Sequence, residues 1–549
     1  MTQEAALPRE RGLYAVLALL LSVAFLATLG TRPLFNPDEA RYAEIPREML
    51  AGGDWVIPHI NGLAYIEKPP LQYWATAVVF KLFGPSEFTA RLYTALCALG
   101  SLGLVWVMGR AAGGERRAWR AAAALSGMVL FLLLGQLVTL DMSLTFYLTC
   151  ALAAFLQAQR TQAPGSNRGW MLLAWGVTAL GVLTKGIVAA AIPVAVLVLY
   201  SLCARDFKPW RRLHVAWGLP LFLIVSVPWH WLAVLKLDDF LQFYFVHEHF
   251  ARYLTPEAQR VQPWWFFIAV FCLGSMPWIL PALRVAAFGW RAKPAPGQFN
   301  ESLFLWIWVA FICVFFSFSD SKLAPYILPA MPALALLIAG LPAAQFKADL
   351  TRTALLTVCM GVALGLASFD WPQIVPAGSR APFFLALRQS IAVAAVLIAL
   401  PGIFVLIQQG RDLTRATLFL GAGWCLAGLA LMRGAAAVAP IYSGLELAQG
   451  IPAQAAAAPV YTVGTYDQSL PFYLNRTVRL VHYRGELDYG LKRRPEAEIP
   501  DLPDFIREWG ETSQAYAIME DTMFQELQKQ GTPMHLVRQA NRRVLVSRQ

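Results

Sequence analysis

Apolar stretches close to or above the length of a bilayer crossing recur from residue 13 to residue 432. A spanning helix needs about 18 or more predominantly apolar residues, and ordinary soluble cores do not repeat such runs. They lie at 13–30, 86–109, 119–138, 142–158, 170–184, 187–203, 213–235, 264–283, 301–318, 325–343, 352–369, 384–408 and 415–432. Composition agrees: 14% of the 549 residues are charged, against about 25% in soluble domains. The expected class is a polytopic α-helical membrane protein with about thirteen transmembrane helices. The first run leads straight into Arg32-Pro33 without a small-residue cleavage site, so it is expected to be a retained helix and not a signal peptide.

Basic residues set the orientation. Arg9 and Arg11 precede the first run. Arg110, Arg116, Arg117 and Arg120 follow the second, and Arg160 and Arg168 the fourth. Arg205, Lys208, Arg211 and Arg212 follow the sixth; Arg291 and Lys293 the eighth; Lys347 and Arg352, then Arg411 and Arg415, complete the series. Alternate threading puts every one of these clusters on one side, which is therefore cytoplasmic. Topology accounts for the basic residues, and no nucleic-acid partner is expected.

The opposite side collects the unusual polar residues. It receives the stretch 36–50, Asp141, Lys185, the loop 236–263, the Asp320-Ser321-Lys322 turn and everything after Arg433. Charge at the membrane edge is expensive and is usually paired or functional, although snorkelling explains a lone lysine such as Lys185 or Lys322. Asn36-Pro37 reads as a turn, and Asp38 or Glu39 as a helix start where the dipole favours carboxylates. Residues 40–50 fit an amphipathic helix with Ala43, Ile45, Met49 and Leu50 facing the apolar side and Arg41, Glu44 and Glu48 opposite. Either this is a solvated cap on the membrane surface, or Asp38 and Glu39 are active-site carboxylates. A second juxtamembrane helix is expected over 71–83, after Lys68, a cation held stiffly between Glu67 and two prolines. Asp141 reads equally as a helix cap and as a second active-site carboxylate.

The seven cysteines all sit in separate apolar stretches, which suggests neither disulfides nor a cysteine metal site. His247 and His249, two residues apart, share a face only in an extended segment; with Glu67 they form the one candidate zinc site. No other cofactor is expected. Beyond the last apolar run, short β-rich segments (460–463, 478–482, 515–519, 543–546) alternate with helical ones around Leu470, Phe505 and Phe524, which predicts a small α/β domain. The expected division is 1–433, a transmembrane domain with outer loops 31–85 and 236–263, and 434–549, the α/β domain. No GxGxxG or P-loop spacing occurs.

Several blocks carry a family resemblance: Asn-Pro-Asp-Glu-Ala-Arg-Tyr-Ala-Glu-Ile-Pro-Arg-Glu-Met-Leu at 36–50, Gly-Asp-Trp at 53–55, Tyr-Ile-Glu-Lys-Pro-Pro at 65–70, Leu-Thr-Lys-Gly at 183–186, Glu-His-Phe-Ala-Arg-Tyr at 248–253, Lys-Leu-Ala-Pro-Tyr-Ile-Leu at 322–328 and Tyr-Arg-Gly-Glu-Leu-Asp-Tyr-Gly-Leu at 483–491. They resemble GT-C fold glycosyltransferases of the protein-O-mannosyltransferase-like group, and within it the branch that moves 4-amino-4-deoxy-L-arabinose onto lipid A. The resemblance implies an inverting transfer from an undecaprenyl-phosphate-linked sugar to a lipid A phosphate, at the periplasmic face of the bacterial inner membrane among its lipids. It implies Asp38 as the catalytic carboxylate and Asp141 as its companion. Arg41, Tyr65, Lys68, Lys185, Arg252, Lys322, Tyr326 and Glu486 are the expected donor-phosphate and lipid contacts. A transferase with a protein or glycan acceptor is the nearer alternative. A lipid-sugar flippase is the farther one, since transporters place polar groups near the midplane of repeated halves, and no internal repeat is present here.

Overall fold

The computed structural model describes residues 7–161, 163–251, 261–291, 298–375, 377–378, 380–409 and 411–548. Arg252 and Lys293, and the side chains of Arg9 and His249, lie outside the described residues. The expected apolar stretches coincide with helical segments. Seven helices among the described residues are long and apolar enough to cross a membrane, from Glu10–Ala27 to Leu413–Tyr442. Helix ends are fixed locally: Ser86 and Thr89 form a reciprocal capping box, and the Asp412 carboxylate accepts the backbone N–H groups of Thr414 and Arg415. The second stretch and the start of the third form one helical run, Glu87–Gly127, bent at Gly113 and Gly114; the third resumes after Met128 as Val129–Gly135.

Two short helices stand on the outer end of the bundle. Asp38–Gly52 starts after Pro37 and stops where Gly53 turns left-handed (φ 72°) and donates its N–H to the Met49 carbonyl. Leu71–Phe83 starts after Pro70 and stops at Gly84. Between them Asn61 (φ 53°) and Gly62 (φ 72°) close a hairpin of β1 (His59–Ile60) and β2 (Leu63–Ala64), a dipeptide suited to a turn that needs both residues at positive φ.

The C-terminal α/β domain carries six strands: β3 (Val460–Val463), β4 (Arg479–Val481), β5 (Glu498–Ile499), β6 (Tyr516–Glu520), β7 (His535–Ala540) and β8 (Arg543–Ser547). Their order is β5-β4-β3-β6-β8-β7, parallel through the first four and antiparallel from β6 onward. The sequence reading lacks β5 and β7. The first is two residues long, and β7 is an exposed edge strand with little apolar alternation. Because successive strand side chains face opposite ways, Tyr461 and Val463 pack on the helices Leu502–Glu511 and Asp521–Lys529. Val460, Leu480 and Ile518 on the other face share a core with Ala43, Ile45 and Met49 of the Asp38 helix.

That shared core corrects one expectation. The Asp38 helix has no solvated polar face: Glu39 through Arg47 are all buried, Arg41 and Glu44 included. Packed between the bundle and the sheet, its charges are paired, some within the helix, where Glu44 takes two hydrogen bonds from Arg47 at 2.6 and 2.7 Å, and others with distant segments.

Candidate active site

Asp38 and Glu39 are neighbours whose side chains point roughly 100° apart on a helix, and the fold uses them differently. Glu39 is a buried structural carboxylate. It accepts from Arg32 Nη2 (3.0 Å), Arg91 Nε (2.8 Å) and Nη2 (3.0 Å), and the N–H groups of Phe35 and Val138 (3.2 Å each), with Arg32 Nη1 as a further donor. Arg91 also donates to the carbonyls of Leu29, Arg32 and Pro33. Burial pushes the Glu39 carboxyl up, but the guanidinium groups of Arg91 and then Arg32 outweigh it and hold it at about 2. The expectation of Glu39 as an active-site carboxylate is thereby replaced: no oxygen is left for a substrate.

The Asp38 side chain, 48% exposed, keeps access to solvent while Oδ1 accepts from Arg41 Nη1 at 3.1 Å. Arg41 is buried, and its other terminal nitrogen pairs with Glu486 of the C-terminal domain. The Glu486 carboxylate in turn accepts from Gln468 Nε2 at 2.5 Å. The Arg41 guanidinium lies 5.8 Å from the ring centres of Tyr42 and Tyr65. The structure therefore joins Asp38, Arg41, Tyr65 and Glu486, predicted from separate segments, into one group.

A second group forms at the helix ends beside it. Asp141, in the first turn of Leu140–Arg160, accepts from Lys185 at the end of Pro164–Lys185. Lys185 Nζ stands 4.8 Å from the Tyr326 ring centre. Lys185 is thus a paired cation, not a snorkelling one. The two groups converge on the Tyr42 phenol, which burial raises first and on which the charges of Asp38, Arg41, Glu67 and Asp141 all act. Tyr65 and Tyr73 hydroxyls are buried and make no hydrogen bond among the described residues. Burial raises both phenols, so they remain hydrogen-bond donors at neutral pH.

Lys68 Nζ pairs at 3.0 Å with the buried Glu248. Lys322 is 7% exposed in the turn before Tyr326. The expected zinc site includes the His249 side chain, which lies outside the described residues; among the described residues no group of three His, Cys, Asp or Glu side chains able to hold a metal occurs. His247 stacks on Phe243 with ring centres 5.3 Å apart and stands 3.5 Å from Glu248, and the two-residue spacing falls on a helical turn, not an extended segment.

Residues 447–548 match the aminoarabinose transferase C-terminal domain, and residues 15–284 the dolichyl-phosphate-mannose-protein mannosyltransferase family. The chain is 35% identical over 395 residues to the undecaprenyl phosphate-α-4-amino-4-deoxy-L-arabinose arabinosyl transferase 1 of Sodalis glossinidius (strain morsitans), covering 67% of this chain and 69% of that relative. The corresponding transferase of Aeromonas salmonicida (strain A449) is 31% identical, over 75% and 71% of the two chains. The crystal structure of ArnT from Cupriavidus metallidurans bound to undecaprenyl phosphate superposes with a TM-score of 0.90 at 33% identity, covering 98% of both chains; its apo state gives 0.89. The chain belongs to the aminoarabinose transferase family.

It is accordingly a GT-C membrane glycosyltransferase with several membrane-spanning helices. Within this transferase, sequence reasoning passed over Arg91 and Glu248. Arg91 had a signal, being an isolated arginine in an apolar run on the side that the arginine clusters avoid. Such a residue needs a buried partner, and Glu39 is it. Glu248 had none beyond its place in the Glu-His-Phe-Ala-Arg-Tyr block, because the helical turn that aims it at Lys68 does not show in local pattern.

Proposed function

We propose that this transferase moves 4-amino-4-deoxy-L-arabinose from undecaprenyl phosphate to a lipid A phosphate at the periplasmic face of the inner membrane. The observation that carries the reading is the half-exposed Asp38, held by Arg41 beside the Asp141–Lys185–Tyr326 group, on the end of the bundle that the arginine clusters avoid. A membrane-embedded donor presents its phosphate at that edge. Transfer releases the phosphate as an anion, and preorganised cations that meet developing charge lower the barrier. Lys185, Lys322 and Lys68 are the described cations assigned to it, with Arg252 beyond the described residues. Lys68 would exchange Glu248 for phosphate as the donor binds.

A phosphate acceptor is already anionic at neutral pH, so no strong base is required to activate it. Asp38 is therefore assigned to orienting the sugar's amine or the acceptor through a charge-assisted contact. The Tyr65 and Tyr73 hydroxyls supply neutral donors for sugar oxygens. Mass spectrometry of lipid A from cells with and without the gene tests the reading. A pentose-amine increment on lipid A phosphate is expected; an unmodified lipid A together with a newly glycosylated protein or glycan would move the acceptor to the alternative class.

A further inference from the structure

We propose that Asp467 of the C-terminal domain is a positioning residue for the transfer: acting through Asn36, it sets where Asp38 stands. The inference rests on Asp38 being the carboxylate that meets substrate.

Asn36 lies two residues before Asp38, and both ends of its amide are taken by the C-terminal domain. Its Nδ2 donates to Asp467 Oδ1 at 2.7 Å, and its Oδ1 accepts the Ser469 N–H at 3.0 Å. The adjacent backbone is gripped too: Asn36 N–H donates to the Tyr442 carbonyl and Leu34 N–H to the Tyr473 hydroxyl, each at 2.8 Å. Three residues after Asp38, Arg41 is held by Glu486. The substrate-facing carboxylate is thus flanked on both sides by side chains with partners in another domain.

Asp467 is built to hold its end still. It is 3% exposed, and Oδ1 also accepts from the Ser469 N–H (2.9 Å) and hydroxyl (2.6 Å). Its other oxygen pairs with Arg543, which spans to the Ser443 carbonyl at 3.0 Å. A side chain at Gly444, which caps the short helix Leu445–Ala448, would place its Cβ 2.9 Å from Asp467 Oδ2, so this close approach favours glycine. A buried carboxylate with every neighbour engaged makes a rigid anchor, because low dielectric strengthens each bond and penalises any that opens. Misplacement of a reacting group by about 1 Å, caused from a distance, costs on the order of 10²-fold in rate.

The test is steady-state transfer with the full-length enzyme, with turnover counted per molecule that binds undecaprenyl phosphate. Asp467→Ala removes the acceptor for Asn36; Asp467→Asn keeps an amide oxygen towards Asn36 and Ser469 while its NH2, a donor, replaces the oxygen that accepted from Arg543, so the loss falls on the Arg543 side. Asp467→Ala is expected to lower kcat by about 10²-fold with donor KM within about twofold. Asn36→Ala should match it, and the double variant should be no worse, since both break one link. Asp467→Asn should keep kcat within roughly threefold even where its melting temperature falls. Wild-type kcat in Asp467→Ala, with or without a lower melting temperature, would reduce Asp467 to a latch between domains and overturn the proposal. Equal kcat losses in Asp467→Asn and Asp467→Ala would overturn it as well. Full activity in Asp38→Asn overturns instead the reading on which it rests.

Discussion

At the scale of single residues, the Asp38-Glu39 pair separates a solvent-accessible carboxylate from a structural one. Asp38→Asn is expected to abolish transfer in vitro while undecaprenyl phosphate binding and melting temperature hold, because Arg41 retains Glu486 and the amide still accepts from it. Glu39 cannot stand in, since both its oxygens are committed. Glu39→Gln should have the opposite profile. Removing one partner from a buried ion pair leaves uncompensated charge and costs about 3–5 kcal/mol, here two guanidinium groups at once. The pH dependence has a definite sign. The Arg91 and Arg32 guanidinium groups hold the folded carboxyl at about 2, below its ordinary value of 4.5, so the stabilisation is fully present above pH 4.5 and is lost as pH falls through about 2. Thermal melts of the detergent-solubilised protein should show the gap between wild type and Glu39→Gln narrowing across that window. A gap independent of pH would mean that Glu39 is not ionised in the fold.

At the scale of elements, glycine and proline place the breaks and ion pairs decide what lies between them. Gly114 holds φ 77° and ψ −174° where the run Glu87–Gly127 bends between its two apolar halves. Only glycine enters that region readily, and other residues are strained there by about 1–3 kcal/mol. Gly114→Ala should therefore lower the melting temperature although nothing lies within 4 Å of an added Cβ. An unchanged melt would show that the bend relaxes freely. Gly103→Ala, in open space inside the same helix, is the control and should be neutral or slightly stabilising. The Asp38 helix shows the other half of the argument. Its charge pattern reads as a solvated face until Arg32, Arg91 and Glu486 arrive from three other segments and pair its charges.

At the scale of the whole molecule, the arginine clusters predict a cytoplasmic amino terminus and a C-terminal domain outside. Gly510 is exposed with open space around it, so Gly510→Cys should react with an impermeant thiol reagent once the outer membrane is permeabilised. Protection until the inner membrane is broken would invert the topology and remove the periplasmic site. The membrane class, the apolar runs, the two juxtamembrane helices and the principal strands of the α/β domain were legible because each depends on local composition, periodicity or backbone preference. The candidate residues Asp38, Asp141, Lys185 and Tyr326 were visible as charges and aromatics at an apolar edge and in family blocks, but their pairing was not. Which of two adjacent carboxylates faces substrate, whether Lys185 snorkels or binds Asp141, and that Asp467 reaches Asn36 across 431 residues of chain depend on contacts between distant segments. The sequence by itself determined where helices and charges fall. Only the tertiary structure decided which charges are buried against one another and which remain free to meet a ligand, because burial and pairing are properties of packing and not of any single stretch.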